Sequence, residues 1–415
     1  MAPAMTSRQR VDAAVNFRKP DRIPIDLGGC RASGINSVVY TKLKRRLGIN
    51  TPTKVQDTMQ ILAEIEPAML DALHIDVVPL DCPLAGWASM PAQKGQKRRL
   101  FEGTEVLFSP ASHFGEEPDG SWTLLDAAGK PYARMPHDGY YFDFIVKTMG
   151  SGAIDPDKYR PSRTVSDEEL QAVANRARFL RDNTDKAILG WGGSISMLGL
   201  SFLLAENITQ GSLDEWLCML MADKPAAQAM MERHVDASIE KVKLYRQAVG
   251  DACFAWGVAS DDAGTQRAGL IRPELFEEMI QPHYKRFCDF IHANTPWKTF
   301  LHSCGSIHDY IKPWIDAGVD ILNPVQISAA NMEPERLMRD FGGKIVFWGG
   351  GCDTQRVLPL EKPEVVREHV RQNIQAFGAR QGGFVFCQVH NIQQKVPVEN
   401  VQAMFQAAYE FGSQV

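Results

Sequence analysis

The sequence predicts an α/β chain folded as a (β/α)₈ TIM barrel with a β-hairpin insertion after the second strand, on three observations. Eight short apolar runs alternate with longer stretches of helical period. Small, polar, ligand-capable residues collect after the carboxyl ends of those runs. One segment alone, residues 95–145, breaks the rhythm.

The predicted strands are residues 22–28 (RIPIDLG), 75–81 (IDVVPLD), 187–193 (AILGWGG), 253–260 (CFAWGVAS), 298–303 (KTFLHS), 320–323 (DILN), 344–349 (KIVFWG) and 384–389 (FVFCQV). Between them, Ser166 and Glu169 have the spacing of a capping box. Pro273, Pro334 and Pro363 each stand at an expected first helical turn ahead of acidic residues. In residues 95–145, Asp-Gly and Ala-Gly pairs punctuate alternating aromatic and polar residues, which predicts antiparallel hairpins. Residues 1–415 are therefore expected to form a single barrel domain that carries this insertion.

The 415 residues are 44% hydrophobic and 23% charged, with a net charge of −5 spread evenly, so neither a nucleic acid nor an anionic membrane surface is an expected partner. No stretch is apolar enough to span a bilayer, and the amino-terminal segment lacks an apolar signal core, so a cytoplasmic location is expected. In that compartment the eight cysteines read as buried, metal-bound or reactive thiols rather than disulfides.

The residues that end the strands define a candidate site at one mouth of the barrel: Asp26 after the first, Asp261 and Asp262 after the fourth, and His302 and Cys304 after the fifth. Asn323 and Gln326 follow the sixth, Gly349 and Gly350 the seventh, and His390 and Asn391 the eighth. Residues two apart on a strand face the same way, so His302 and Cys304 can reach one point, and imidazole with thiolate is a donor set for zinc. A catalytic zinc needs a third protein ligand; His390 and Cys387 are the candidates, with Cys352 a weaker one. The alternative reading of the pair is a packed cysteine beside a hydrogen-bonded histidine. One of Asp261 and Asp262 also reads as a helix N-cap, and the Gly349–Gly350 pair as a tight turn of positive φ.

Six strings, DRIPIDLGG, DDAGTQ, HSCGSI, IDAGVDILNPVQ, FWGGGCDTQRVLP and VHNIQQKVPVENVQAMF, together resemble the uroporphyrinogen decarboxylase-like superfamily, from about residue 8 to about residue 409. The resemblance implies a (β/α)₈ barrel. The decarboxylases themselves carry an arginine-rich amino-terminal signature of the type M-R-Q-A-G-R, where this chain has IDLGGCRASG with the one arginine Arg31. The likeness is therefore to the zinc-dependent, corrinoid-linked methyltransferases, such as aromatic O-demethylase components.

That resemblance implies zinc held by His302, Cys304 and a third ligand. In the coenzyme M methyltransferases the third is a cysteine after the last strand, the place where this chain has His390 with Cys387 just upstream. It also implies transfer of a methyl group from a small methylated donor, such as a methoxylated aromatic, to a Co(I) corrinoid (cobalamin) on a separate protein. Asp261 or Asp262 would serve as proton donor, Asn323, Gln326 and Asn391 as hydrogen-bonding groups, and Asp26, Gly349 and Gly350 as cofactor contacts. Methylcorrinoid-to-thiol or -tetrahydrofolate transfer and a decarboxylase are the alternatives, and a homodimer is the common assembly.

Overall fold

The computed structural model describes residues 4–80, 95–126, 128–145, 154–198, 213–378 and 381–414. Its strands, in chain order, begin with the small antiparallel pair β1 (Val55–Asp57) and β2 (Leu62–Ala63), followed by β3 (Val77–Leu80). The insertion supplies β4 (Gln96–Arg99), β5 (Glu105–Phe108), β6 (His113–Glu116), β7 (Trp122–Leu125), β8 (Pro131–Met135) and β9 (Asp143–Phe144). The remainder are β10 (Ala187–Trp191), β11 (Ala255–Ser260), β12 (Lys298–His302), β13 (Ile321–Asn323), β14 (Val346–Trp348) and β15 (Phe384–Val385).

Seven of these form one parallel sheet in the order β3-β10-β11-β12-β13-β14-β15, with helices between successive strands, and its two outer strands are joined by residues 22–28. Phe386 N–H donates to the Pro24 carbonyl at 2.9 Å, Asp26 N–H to Phe386 at 2.8 Å, and Asp76 N–H to Ile25 at 2.8 Å. The expected first strand is thus reduced to a parallel bridge, Ile25 to Phe386. Pro24 cannot donate to a ladder, and Gly28 turns the chain away at φ +79°. The insertion is antiparallel throughout, pairing β4 with β5 and running β6-β7-β8-β9, as its turn residues predict.

Alternation decides what fills the barrel. Val77, Leu189, Ala255, Phe300, Ile321, Val346, Trp348, Val385 and Cys387 form one buried cluster, joined from below by Val11, Ala14 and Val15 of the helix Ser7–Val15. The larger cluster packs the outer sheet face against the helices. His302 lies two residues beyond Phe300 and Asn323 two beyond Ile321, so both continue the inward face toward the mouth.

The predicted helix signals are in place. Ser166 Oγ accepts the Glu169 N–H at 3.2 Å, although the Glu169 carboxylate takes the Tyr245 hydroxyl at 2.6 Å instead of completing the box. Pro273, Pro334 and Pro363 open the helices Pro273–Met279, Pro334–Phe341 and Pro363–Ala376. The seven described cysteines are all free thiols, and Cys82 lies outside the described residues. No described helix is long and apolar enough to cross a membrane.

Candidate metal centre

His302 ends β12, and Cys304 follows in the turn that leaves the strand. The turn demands glycine at 305: its φ is +96°, and a Cβ there would sit 2.2 Å from the Gly264 carbonyl oxygen. His302 Nε2 and Cys304 Sγ are 3.5 Å apart. With His390 they form a group whose donor atoms all lie within 4.8 Å of one another. His390 reaches it from the bend after β15, beyond the point where strand alternation governs direction.

Cys387, the other candidate for a third ligand, is not part of that group. It lies two residues past Val385 on the inward face and is fully buried with Trp348 and Val385 inside the barrel. Cys352 is likewise buried, its sulfur near the Asp353 carbonyl.

The imidazole of His302 is held by the next strand. Asn323 Nδ2 donates to the Trp348 carbonyl at 3.0 Å, which turns its Oδ1 toward His302 Nδ1 at 2.7 Å. Nδ1 must then carry the proton, and Nε2 offers its lone pair to the group. Burial, with a contribution from His302, keeps His390 below the usual histidine range and so in its neutral, ligating form. Burial and the Asp262 carboxylate push the Cys304 thiol well above its usual range. Such a thiol ionises only when a cation takes the sulfur.

The donor set fits zinc. A tetrahedral site with zinc–nitrogen and zinc–sulfur bonds of ordinary length has edges of about 3.5 Å between ligand atoms, the separation found for His302 and Cys304. Three protein ligands would leave a fourth position of such an ion open.

The two aspartates divide the work. Asp261 is buried and accepts the Met197 and Leu198 amides and the Tyr284 hydroxyl, each between 2.8 and 2.9 Å, so it ties the loop after β10 to the barrel. Neither aspartate caps a helix, because the next one starts at Pro273. Asp262 is 61% exposed and accepts the Cys304 N–H at 2.9 Å, its Oδ1 standing 3.5 Å from His302 Nε2.

Gln326 accepts the Gly305 N–H at 2.8 Å and so steadies the same turn. Asn391 hydrogen-bonds Gln60 and Gln393. Asp26 lies beneath the site, fully buried, accepting from Trp348 Nε1 and Gly29 N at 2.8 Å, and burial raises its carboxyl to about 6. Gly349 N–H bonds the Val385 carbonyl, and a Cβ on Gly349 would be 2.0 Å from the Pro324 oxygen. Asp26, Gly349 and Gly350 are not among the described residues that line the cavity.

That cavity, of about 550 Å³, opens onto His302, His390 and Asp262. Its described lining includes the apolar Leu62, Leu80, Leu189 and Trp191 and the polar Arg31, Gln56, Asp57 and Gln60. Sequence reasoning had no purchase on Asp57 and Gln60, whose segment, QDTMQ, reads as an ordinary polar loop until β1 and β2 fold it against the barrel.

The sequence pattern of uroporphyrinogen decarboxylase (URO-D) matches residues 148–411, more than half of the chain. The chain belongs to the URO-D family. A methyltransferase from Methanosarcina mazei has the same fold at 15% identity, covering 98% of this chain and 99% of that one, with a TM-score of 0.59. A B12-independent methionine synthase from Shewanella sp. W3-18-1 in complex with selenomethionine matches at 10% identity over 83% of each chain, TM-score 0.39. A rutinosidase from Aspergillus niger matches over 54% of this chain and 65% of that one at 8% identity, TM-score 0.33. No curated protein matches the sequence significantly. This URO-D family member therefore has a fold shared with a methyltransferase, along its whole length.

Proposed function

We propose that this URO-D family protein is a zinc-dependent methyltransferase. It moves a methyl group from a small methylated substrate, in our reading a methoxylated aromatic, to the Co(I) centre of a corrinoid carried by a separate protein. The observation that carries the reading is the convergence of His302, Cys304 and His390 at a cavity mouth, with Asn323 fixing the His302 tautomer.

When bound there, zinc supplies Lewis acidity to the heteroatom that gives up its methyl group. The chain's own residues do the rest. Leu62, Leu80, Leu189 and Trp191 cover the faces of an aromatic ring and exclude water from it. Asp262, exposed at the mouth beside His302, accepts a hydrogen bond from a substrate hydroxyl or from the water that protonates the departing oxygen. Asn323 holds the His302 imidazole, and Gln326 holds the turn that presents Cys304. A cavity of about 550 Å³ suits one small ring, so the corrinoid is placed over the mouth on its own carrier.

Decarboxylation of a many-carboxylate substrate is disfavoured by the same cavity. Arg31 is the one arginine or lysine among its described lining residues.

The test is metal analysis of the purified protein together with transfer of the methyl group of a methoxyarene to cob(I)alamin, read by the spectrum of methylcobalamin. Near-stoichiometric zinc that falls in His302→Ala and Cys304→Ser, with methylcobalamin formed only by the zinc-loaded wild type, supports the reading. Metal-free protein after growth with zinc, or zinc-loaded protein that forms no methylcobalamin from any methoxyarene, overturns it.

A further inference from the structure

The three side chains of the metal-binding group are held from different places. Asn323 fixes the His302 ring, and Asp262 and Gln326 fix the turn of Cys304, so both are served by residues at the ends of barrel strands. His390 is served from outside the barrel. The Asn391 side chain hydrogen-bonds its ring. Asn391 Nδ2 donates in turn to Gln60 Oε1, and Asn391 Oδ1 accepts from Gln393 Nε2. With Nδ2 engaged, the oxygen, which has two lone pairs, is the atom left to accept the His390 N–H. The ring then keeps a lone pair on its other nitrogen, the form that a metal ion needs. Gln393 is exposed, whereas Gln60 is half-buried at the cavity, so Gln60 is the firmer of the two partners that decide which way the Asn391 amide faces.

Gln60 belongs to the turn of residues 58–61 between β1 and β2, and that turn is strained. Ile61 has a φ of +51°, a region that branched side chains avoid. Such a conformation persists only where its surroundings enforce it, and strain of this kind gathers at functional sites. Here the β insertion does the enforcing. Ile61 is buried in one cluster with Val106, Phe108, Leu124 and Phe142 of the insertion. Phe142 N–H donates to the Met59 carbonyl at 2.6 Å, and the Thr58 and Ser112 hydroxyls are hydrogen-bonded at 2.9 Å. Asp57 Oδ1 accepts the Gln60 N–H at 2.8 Å and closes the turn.

We propose that Gln60, carried on a strained turn that the insertion braces, is a positioning residue for the metal centre and sets the third ligand, His390, through Asn391. Gln60 acts on the Asn391 amide, not on an ion. Because it also lines the cavity, the cavity wall and the metal-binding group share one hydrogen-bonded unit. The proposal rests on the metal-binding group of the proposed function and is independent of which group is transferred.

The test is the metal affinity of the full-length protein, read by zinc competition with a chromophoric chelator and by the absorption spectrum of the Co(II)-substituted protein. Loss of a partner behind a ligand typically weakens metal binding about ten- to hundredfold, and that is the loss expected for Gln60→Ala. Gln60→Met, which keeps the length of the side chain and removes its acceptor, should match it. Gln60→Glu, which returns an oxygen to Asn391 Nδ2, should recover most of the affinity. In the Co(II) protein, Gln60→Ala should keep the sulfur-to-cobalt band of Cys304 and lose ligand-field intensity in the visible, as His390→Ala does. In the His390→Ala background the Gln60 substitutions should cost nothing further, since the residue acts through that ligand alone.

Equal zinc affinity in the wild type, Gln60→Ala and Gln60→Met overturns the proposal. So does a Gln60→Glu protein no better than Gln60→Ala, or a loss of the same size when His390 is already absent. Activity keeps the two proposals apart. Gln60-dependent zinc affinity in a protein that forms no methylcobalamin refutes the methyl transfer alone, and methyl transfer by a zinc protein indifferent to Gln60 refutes the positioning role alone.

Discussion

His302 Nδ1 lies 2.7 Å from Asn323 Oδ1, across the pair of residues that face each other in register at the ends of β12 and β13. The asparagine is itself oriented by the Trp348 carbonyl on β14, so three adjacent strands set the direction of one ring nitrogen. Partners of this kind typically contribute about ten- to hundredfold to metal affinity. Asn323→Ala should weaken zinc binding by about that factor in a chelator competition, whereas Asn323→Asp, which still accepts from Nδ1, should keep most of it. Identical dissociation constants for the three proteins would show that the contact does not orient a ligand.

Asp261 and Asp262, adjacent in sequence, should respond oppositely to substitution. Asp261→Ala strips a partner from two buried amides and the Tyr284 hydroxyl, and should cost about 3 kcal/mol or more in denaturant unfolding. Asp262→Ala, at an exposed position, should leave the midpoint nearly unchanged and act on methyl transfer instead. A destabilised Asp262 variant with full activity would reverse the assignment.

Stability should fall as the solution is acidified. Burial lowers His234, bonded to Tyr159, to about 3 and His283, bonded to Gln228, to about 4, against an ordinary value of 6.5. Both stay neutral in the fold while the unfolded chain takes up protons below about pH 6.5, so each removes about 1.4 kcal/mol per pH unit down to its folded value. Asp26 has the opposite sign: raised to about 6, it binds a proton in the fold before the unfolded chain does, and offsets one histidine below that pH. For these three groups together, the expectation is a loss close to that of one histidine between about pH 6 and pH 4. Urea midpoints across that range measure it, and His283→Gln should flatten the slope; a slope identical to wild type would refute the account of His283.

Asp76 anchors the closing segment of the barrel. Fully buried, it accepts Arg10 Nη1 and Arg22 Nη1 at 2.7 Å, the Ser7 hydroxyl at 2.9 Å and the Ile25 N–H at 2.9 Å. Removing one partner of a buried ion pair strands the other, so Asp76→Ala should cost about 3–5 kcal/mol. Thermal unfolding checks this, and a midpoint within experimental error of wild type would mean that the segment is held by packing alone.

The sequence by itself determined the repeating strand and helix order, the hairpin insertion and the shared direction of His302 and Cys304. All of these depend on local periods of two and 3.6 residues and on turn residues that act over a few positions. It also offered His390 and Cys387 as alternatives for the third metal-binding place, and left Asp261 and Asp262 interchangeable.

Only the tertiary structure decided between them. Alternation buries Cys387 beside Trp348, while the bend after β15 carries His390 to the group, and the choice between the aspartates depends on a loop 64 positions away at Met197. Residues 22–28 look like a strand because their apolar pattern is right, yet Pro24 withholds a donor that only the neighbouring strands could have required. The same holds for Arg31, Asp57 and Gln60: polar residues in short loops carry no local signal of function, and gain one only when long-range packing sets them around a common cavity.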